Sequence, residues 1–251
     1  MKILLATSNQ HKVEEIRRVF EQMQSRSELH IELVGLSDLA VRHPQPAEDC
    51  ESFEGNAKIK ALHYARLSGH LSLADDSGLQ VNVLHGAPGV RSARYAGVGG
   101  RRHVADQANN ALLLKNLGDT PSQKRTAHFV CAMVLCAPMA PTGHAEGRTK
   151  EAAVSRSQSP VHSAPTDARV VALVRAEMEG RILGPGDEGY HLDMPSGRGT
   201  HGFGYDPLFL LPDVGKTTAE LEPDAKNRDS HRGRAARKMW NYIARIAGSG
   251  F

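Results

Sequence analysis

The sequence predicts an α/β fold with a mixed sheet, folded as a single domain over residues 1–251. Its 251 residues and 40% hydrophobic content suffice for one sizeable core, or for two lobes around a cleft. Helical and strand-like apolar patterns are interleaved without strict strand–helix–strand repetition, which favours a sheet of mixed direction. The 24% charged and 5% aromatic residues are typical of an ordinary globular protein.

Apolar patterns near the N-terminus predict a strand, a helix and a second strand. Lys2–Thr7 has the character of a buried strand, and Asn9 stands where the N-cap of the next helix could fall. After a polar linker, Ile31–Leu36 predicts the second strand. The apolar residues at helical spacing between the strands are Val13, Ile16, Val19, Phe20 and Met23.

A second helix and two short strands are predicted next. Ser52–Ser68 is amphipathic, and Gly69 stands at the position that commonly ends a helix. Leu71–Ala74 and Leu79–Val83 are strand-like. The residues between them, Asp75–Gly78, predict an interruption of the strand.

The second half of the chain supplies the remaining elements. A run that is apolar on both faces predicts a central strand, and the last helix carries a buried apolar stripe. In order, the predicted elements are loop His85–Gly100, helix Val104–Leu117, central strand Ala127–Cys136, strands Arg169–Met178 and Phe203–Leu211, and helix Ser230–Ala247.

Two irregular segments interrupt this order. Pro138–Asp167 is rich in Pro, Ser, Ala and Gly and has no clear period, so it predicts a mobile insertion on the domain. Gly184–His201, just before the predicted Phe203 strand, is also irregular. Either segment could alter a dimer edge or the approach to a cleft.

Charge, cysteine content and hydropathy narrow the class of protein. A net charge of +3 fits an anionic small substrate and does not demand nucleic acid. Three cysteines without a CxxC pair predict a reduced, cytoplasmic protein, and Met1–Thr7 is too short for a secretory signal. No stretch reaches the roughly 18 apolar residues that a membrane helix needs. Scattered histidines argue against a structural zinc site.

Polar residues at the exit of the first strand predict a phosphate-binding turn. Hydroxyls, amide N–H groups and a lysine meet there at a helix N-terminus, which adds partial positive charge. The turn lacks the glycines and the GK[ST] ending of a Walker loop, so a simple capped turn is the alternative. Its residues are Thr7, Ser8, Asn9, Gln10, His11 and Lys12.

Two acidic pairs predict a divalent-metal site. Glu48-Asp49 and Asp75-Asp76 supply hard carboxylate oxygens of the kind that bind Mg²⁺ together with a polyphosphate. Asp75 and Asp76 directly follow an apolar strand, and neighbours in extended chain point to opposite sides, so one of them could be structural. An exposed Asp-Asp-Ser-Gly turn is the alternative.

An aromatic group near the C-terminus predicts contacts to a flat base. The run Phe203-Gly204-Tyr205-Asp206 places two rings around a glycine and ends in a possible hydrogen-bond acceptor. A bulged strand with core aromatics is the alternative.

A basic group follows it. Ser230 is the predicted N-cap of the last helix, which puts His231 and Arg232 in its first turn, against the helix dipole. A sequence that tolerates this mismatch suggests a functional reason, and Lys226 lies just upstream. The alternative is a solvated basic face formed by Arg228, Arg232, Arg234, Arg237 and Lys238.

Six short motifs follow one another over nearly the whole chain. They are TSNQHK at Thr7, SFEGNAKIKA at Ser52, LADDSGLQV at Leu73, GAPGVRSARYAG at Gly86, HGFGYDP at His201 and SHRG at Ser230. In this order they resemble the inosine/xanthosine triphosphate pyrophosphatase family. The acidic turn followed by GAPGVRSARYAG is the most specific part.

The resemblance implies a fold, a reaction and a set of site residues. The fold would have two α/β lobes, with an elongated mixed sheet flanked by helices and a central nucleotide cleft, in a homodimer. The enzyme would hydrolyse ITP, dITP and XTP to the monophosphate and pyrophosphate, with Mg²⁺ as cofactor. Asp76 would be general base and metal ligand, with Glu48 as second ligand. The substrate would contact Thr7, Ser8, Asn9, Gln10, His11, Lys12, Asn56, Lys60, Ser77, Phe203, Gly204, Tyr205, Asp206, Lys226, His231 and Arg232.

One departure from the family pattern concerns the metal ligand. The acidic pair lies about one residue closer to Phe53 than is usual, so Asp49 could take the place of Glu48. Two rival functions also stay open. One is a pyrophosphatase for modified pyrimidine triphosphates. The other is nucleic-acid binding through the basic C-terminal helix, which the small net charge and few aromatic residues disfavour.

Overall fold

A mixed β-sheet runs through the centre of the molecule. The strands are β1 Lys2–Leu5, β2 Glu32–Gly35, β3 Leu71–Val81, β4 Thr126–Pro138, β5 Ala168–Ile182, β6 Phe209–Leu211 and β7 Lys216–Thr217. The computed structural model describes residues 1–39, 41–139, 167–191 and 197–248, and within them the strand order is β2-β1-β3-β4-β5-β6-β7. β1 pairs in parallel with β2 and β3, and the later pairs are antiparallel. The predicted α/β fold with a mixed sheet is confirmed.

Helices cover both faces of this sheet. In the described part of the chain, the α-helices are α1 Gln10–Gln24, α2 Phe53–Ser68, α3 Arg102–Leu117, α4 Pro223–Asp229 and α5 His231–Gly248. α1 and α5 pack together on one face, where Val13, Phe20 and Trp240 join the core with β1, β3 and β4. α2 covers the other face through Ala57 and Ala61. Among the described residues, no helix combines the length and apolarity needed to cross a membrane.

A second core forms at the other end of β3 and β4. Leu113 and Leu117 of α3 pack there with Leu79, Phe129 and Phe209. β3 and β4 contribute to both cores because they are long, so one sheet continues through two lobes. This is the elongated, two-lobed arrangement that the resemblance implied.

The predicted interruption of the third strand is wrong. β3 runs unbroken from Leu71 to Val81 and pairs with β4 from Ser72↔Cys136 to Val81↔Ala127. A complete ladder of backbone hydrogen bonds to β4 outweighs the turn preference of Asp-Asp-Ser-Gly. Asp75 and Asp76 therefore sit side by side in extended chain, and their side chains point to opposite faces.

The predicted strand over Phe203–Leu211 is mostly a turn. Only Phe209–Leu211 is strand, because Gly202 and Gly204 adopt φ of 80° and 64°, which extended chain does not allow. The sequence also gave no signal for α4 or β7. The N-cap prediction at Ser230 is confirmed, since its Oγ accepts from the Gly233 N–H at 3.0 Å.

The predicted insertion at 138–167 falls mostly outside the described residues. Its two ends meet, since the Met139 N–H donates to the Asp167 carbonyl at 2.6 Å. The segment therefore connects the neighbouring antiparallel strands β4 and β5. The second irregular piece is described at 184–191 and 197–201, and it precedes the turn at Phe203.

Candidate active site

A cleft lies between the two lobes. It encloses about 1150 Å³ of space free of atoms when the open solvent at its mouth is counted. Most of the predicted site residues line its wall, namely Thr7, Ser8, Asn9, Lys12, Glu48, Lys60, Asp76, Ser77, Phe203, Gly204, Tyr205, Asp206, Lys226, His231 and Arg232. Gln10, His11 and Asn56 are not part of the wall, although His11 and Asn56 contact residues that are.

Asp75 points away from Asp76 into a cluster of cations. Its Oδ2 lies 2.9 Å from Lys12 Nζ and 3.3 Å from Arg232 Nε, and its side chain is fully buried. Burial alone would raise its pKa, but Lys12 and Arg232 hold the pKa of Asp75 well below its ordinary value. Asp75 is thus a permanent anion that orients two cations of the cleft wall.

Asp76 faces the cleft on the other side of β3. Its Oδ1 lies 3.2 Å from Lys60 Nζ, and its Oδ2 accepts from Asn56 Nδ2 at 3.3 Å. Burial raises the pKa of Asp76 above its ordinary value, although Lys60 and Lys12 oppose the rise. A carboxylate with a raised pKa can accept a proton more readily than an exposed one.

Asn56 holds the chain beside this carboxylate. It is buried on α2, and its amide accepts from the Cys50 N–H at 3.0 Å and donates to the Cys50 carbonyl at 3.2 Å. These bonds fix the segment that carries Glu48, whose Oε2 lies 2.8 Å from Lys60 Nζ. Asn56 therefore bonds both to Asp76 and to the segment that carries Glu48, and its predicted substrate contact stays a prediction.

The two candidate metal ligands after Pro46 lie in different places. Glu48 lines the cleft with Asp76, and Lys60 lies between their carboxylates. Asp49 lines a separate pocket on the outer surface. Among the described residues no group of three His, Cys, Asp or Glu side chains could hold a metal by itself.

The turn before β6 presents Phe203 to the cleft. Asp206 holds the turn together, because its Oδ2 accepts from the Phe203 N–H at 2.8 Å and from Lys226 Nζ at 2.6 Å, and its Oδ1 accepts from Thr218 at 2.9 Å. Tyr205 is buried and donates to the Ser92 carbonyl at 2.9 Å. Phe203 is thus the partly exposed ring of the motif, while Tyr205 and Asp206 support it.

Cations and a histidine surround the Phe203 ring. Arg102, Lys226 and Arg232 lie 5.4, 5.2 and 5.6 Å from its centroid. The His11 ring stacks on it at 5.1 Å with an interplanar angle of 17°. A flat, electron-rich ring bordered by cations suits a planar heterocycle attached to phosphates.

Glu15, which was not among the predicted site residues, joins two of these cations. Its carboxylate accepts from Lys226 Nζ at 3.2 Å and pairs with Arg232. Burial tends to raise its pKa, but Arg232 and Lys226 lower the pKa of Glu15 overall. A signal was present, because Glu15 lies three residues after Lys12 on the same face of a helix.

The first turn of α5 resolves the apparent conflict with the helix dipole. Arg232 is 2% exposed, and the carboxylates of Glu15 and Asp75 compensate its charge. Burial, together with the neighbouring Arg232, lowers the pKa of His231 well below its ordinary value, so His231 is neutral. It stacks on Phe129 at 4.9 Å. The functional interpretation of this turn is therefore favoured over a solvated basic face.

Other basic residues of α5 hydrogen-bond to neighbouring main chain. Arg234, Arg237 and Lys238 donate to the main-chain carbonyls of Glu177, Asn227 and Arg175 at 3.0, 3.2 and 2.8 Å. Each therefore has at least one N–H group bound within the fold. A bond to a neutral carbonyl does not remove the charge of a side chain, so these contacts do not test the nucleic-acid alternative along this helix.

Known proteins resemble this chain over nearly its whole length. A dITP/XTP pyrophosphatase of Exiguobacterium sibiricum is 40% identical over 239 residues, which is 95% of each chain. One from Bifidobacterium longum is 39% identical over 95% of this chain and 96% of its own.

Solved structures agree with this picture. A HAM1 protein from Coxiella burnetii superposes with a TM-score of 0.69 at 29% identity, covering 98% of this chain and 100% of its own. A nucleoside-triphosphatase / dITP/XTP pyrophosphatase from Mycobacterium abscessus has a TM-score of 0.61 at 34% identity, covering 95% and 98%. The model of the Ham1 family matches residues 3–242. Since fold, length and motif order all agree, the chain belongs to the Ham1 family.

Proposed function

We propose that this chain hydrolyses the non-canonical purine nucleoside triphosphates ITP, dITP and XTP to the monophosphate and pyrophosphate. The observation that carries the proposal is that one cleft is lined both by Asp76 paired with Lys60 and by the Phe203 ring with cations around it. A nucleotide can place its base on the ring and its phosphates at the carboxylates. The relatives named dITP/XTP pyrophosphatase support the same reading.

The charge of the cleft supports a requirement for a divalent cation. Five of the six Lys and Arg side chains that line it in the described part of the chain are paired with carboxylates within the fold, namely Lys12, Lys60, Arg102, Lys226 and Arg232. A triphosphate therefore meets little uncompensated positive charge. Two hard carboxylates, Glu48 and Asp76, face the same space, and Mg²⁺ commonly uses one or two carboxylates plus substrate phosphates. We propose Glu48 and Asp76 as its ligands. When bound, Mg²⁺ would neutralise phosphate charge and acidify a coordinated water.

Residues of the chain itself would bind the phosphates, stabilise the leaving group and accept the proton. The N–H groups and hydroxyls of the β1–α1 turn, from Thr7 to Lys12, would hold phosphate oxygens at the α1 N-terminus. Lys12 and Lys60 would offset the charge that develops on the leaving pyrophosphate. Asp76 would take the proton of the attacking water, and Asn56 would keep its carboxylate in place.

Selectivity would follow from hydrogen-bond polarity. Hypoxanthine and xanthine carry an oxo acceptor at position 6, where adenine carries an amino donor. Arg232 has five N–H groups, of which three bind Asp75, Glu15 and Ser77, so others can donate to an oxo group. Donor facing donor would cost adenine roughly 1–3 kcal/mol, or about tenfold to a hundredfold.

The test is pyrophosphate release from ITP, dITP, XTP, GTP and ATP, with Mg²⁺ and with EDTA. We expect the first three to be hydrolysed much faster than ATP, and all activity to need the metal. Equal rates on ITP and ATP would contradict the selectivity argument. Modified pyrimidine triphosphates are added to the same panel. A preference for them would favour the rival function, a pyrophosphatase for modified pyrimidine triphosphates.

We also propose a cytoplasmic homodimer. All three cysteines, Cys50, Cys131 and Cys136, are free thiols, as expected in a reducing compartment. The dimer rests on the family resemblance alone. Light scattering coupled to gel filtration tests it, and a mass near 27.2 kDa, that of one chain, would contradict it.

A further inference from the structure

One cation of the cleft differs from the others in its pairing. Among the residues that the structure describes, six Lys and Arg side chains line the cleft: Lys12, Lys60, Arg94, Arg102, Lys226 and Arg232. Five of them have a carboxylate within ion-pair distance. Arg94 has none in the described ranges, and instead donates from Nη2 to the main-chain carbonyl of Glu48 at 3.2 Å.

The segment that carries Arg94 is held firmly. It belongs to a 3₁₀ turn, Gly89–Arg94, whose Ser92 Oγ accepts from the Leu79 N–H of β3 at 2.8 Å. The Asn109 amide of α3 donates to the carbonyls of Ser92 and Ala93, both at 3.3 Å. The turn is therefore bonded to the sheet and to a helix, and it fixes the backbone from which Arg94 projects. This accounts for the GAPGVRSARYAG motif, to which no substrate contact had been assigned.

Arg94 stands at the reactive end of the cleft. It contacts the main chain of Glu48, the carboxylate of Glu48 contacts Lys60, and Lys60 contacts Asp76. It also borders a second pocket on the outer side of Glu48, so its side chain lies where the cleft opens outward. Because it is exposed, its guanidinium can reach into the mouth without breaking an ion pair.

We propose that Arg94 binds the β- and γ-phosphates and holds pyrophosphate as it leaves. A guanidinium donates two parallel hydrogen bonds to phosphate oxygens, and no carboxylate of the described residues competes for those of Arg94. In the reaction the water oxygen bonds to the α-phosphorus and the water proton passes to Asp76. The bond from the α-phosphorus to the bridging oxygen breaks, and pyrophosphate departs with its electron pair. This assignment rests on the proposed function, because it presumes cleavage between the α- and β-phosphates.

The experiment compares Arg94→Gln and Arg94→Lys with Arg91→Gln. Arg91 lies on the same 3₁₀ turn and is also exposed, but it faces the outer pockets and not the cleft. Inhibition of ITP hydrolysis by pyrophosphate and by IMP is measured for each protein. Calorimetry measures binding of magnesium pyrophosphate without turnover.

We expect Arg94→Gln to weaken pyrophosphate binding about tenfold, the usual loss for a hydrogen bond to a charged group, with IMP inhibition unchanged. Arg94→Lys should retain part of the affinity, and Arg91→Gln should behave as wild type. Pyrophosphate binding by Arg94→Gln within roughly twofold of wild type would overturn the inference. So would a lower kcat with unchanged pyrophosphate affinity, since Arg94 would then act only through the Glu48 main chain. Failure of the proposed function can be told apart from failure of the Arg94 assignment. In the first case wild type would release no pyrophosphate from ITP, and calorimetry with magnesium pyrophosphate would still test the Arg94 site.

Discussion

At the residue scale, two neighbouring aspartates on β3 have different tasks because their environments differ. Asp75 is fully buried between Lys12 and Arg232, which keep it ionised. Asp76 meets the cleft, and burial raises its pKa. Pairs of carboxylates whose pKa values move apart in this way are a common basis for assigning acid–base roles. The two residues should therefore respond in opposite ways to the same substitution.

Asp76→Asn should abolish most activity while the fold is retained. An amide cannot accept the proton of water, so kcat on ITP should fall by about 10²–10⁴-fold. Since burial already disfavours the charged form of Asp76, the thermal midpoint should not drop. Steady-state kinetics and calorimetric melting check both parts. Asp213→Asn, at an exposed position, is the matched control. Near-wild-type turnover by folded Asp76→Asn would remove the assignment.

Asp75→Asn should instead destabilise the protein. It leaves Lys12 and Arg232 partly uncompensated, and removing one partner of a buried ion pair typically costs about 3–5 kcal/mol. Urea unfolding followed by circular dichroism measures the loss. An unchanged midpoint would mean that Asp75 does not organise these cations.

At the scale of elements, the sequence predicted which segments form the site more reliably than how they are shaped. Periodicity located α1, α2 and α5, because amphipathic helices bury one face whatever surrounds them. The unbroken β3 was missed because it depends on pairing with β4, a contact distant in sequence. The turn at Phe203 was missed because left-handed backbone at Gly202 and Gly204 leaves no periodic trace. Arg94 was missed because the state of its charge depends on residues that are distant in sequence, whereas the spacing of Glu15 from Lys12 was a usable signal.

The contact between β3 and the 3₁₀ turn requires a glycine. A Cβ on Gly78 would lie 2.3 Å from Ser92 Oγ and 2.6 Å from the Gly89 carbonyl oxygen. Gly78→Ala should therefore cost about 1–3 kcal/mol and lower activity by displacing the turn that carries Arg94. Gly99→Ala, where a Cβ would meet nothing within 4 Å, is the matched control. Chemical denaturation of both variants tests this, and equal midpoints would contradict it.

An ion pair between β5 and the segment after it should make the stability of the protein depend on pH in the acidic range. Arg181 forms two hydrogen bonds to Asp187 and lowers the pKa of Asp187 from 3.8 to about 2. A depressed pKa contributes stability above the unfolded value, and that contribution disappears as pH falls from about 4 to 2. Asp187→Asn should cost about 1 kcal/mol at neutral pH, since solvent screens a pair near the surface. The difference from wild type should vanish near pH 2. A difference that persisted there would refute the argument.

At the scale of the whole molecule, the two lobes share one sheet but place different chemistry at the cleft. Lys12 and Asp76 border the first core, whereas Phe203 belongs to a turn of the second. The two-lobed fold and most of the cleft residues followed from motifs and resemblance. The ion pairs and the burial of these residues could not be predicted in the same way, because they are set only when both lobes are assembled. Asp206, for example, hydrogen-bonds to Phe203 and Thr218, and Asn56 hydrogen-bonds to the main chain of Cys50.

With the proposed substrate, this layout would place the ligand across both lobes, and the balance of charge would make its binding depend on metal. An ITP analogue with a methylene group between the α- and β-phosphorus should stabilise the protein only together with Mg²⁺, because the cations of the cleft, Arg94 apart, are already paired. At about 100 times the dissociation constant, ligand binding adds roughly 2.7 kcal/mol. For a chain of 251 residues that corresponds to a rise of roughly 5–10 °C in the thermal midpoint. Differential scanning calorimetry with Mg²⁺, with EDTA and with Mg²⁺ but no analogue separates the contributions. An equal rise in EDTA would mean that the side chains alone neutralise the triphosphate, and the charge argument for the metal would fail.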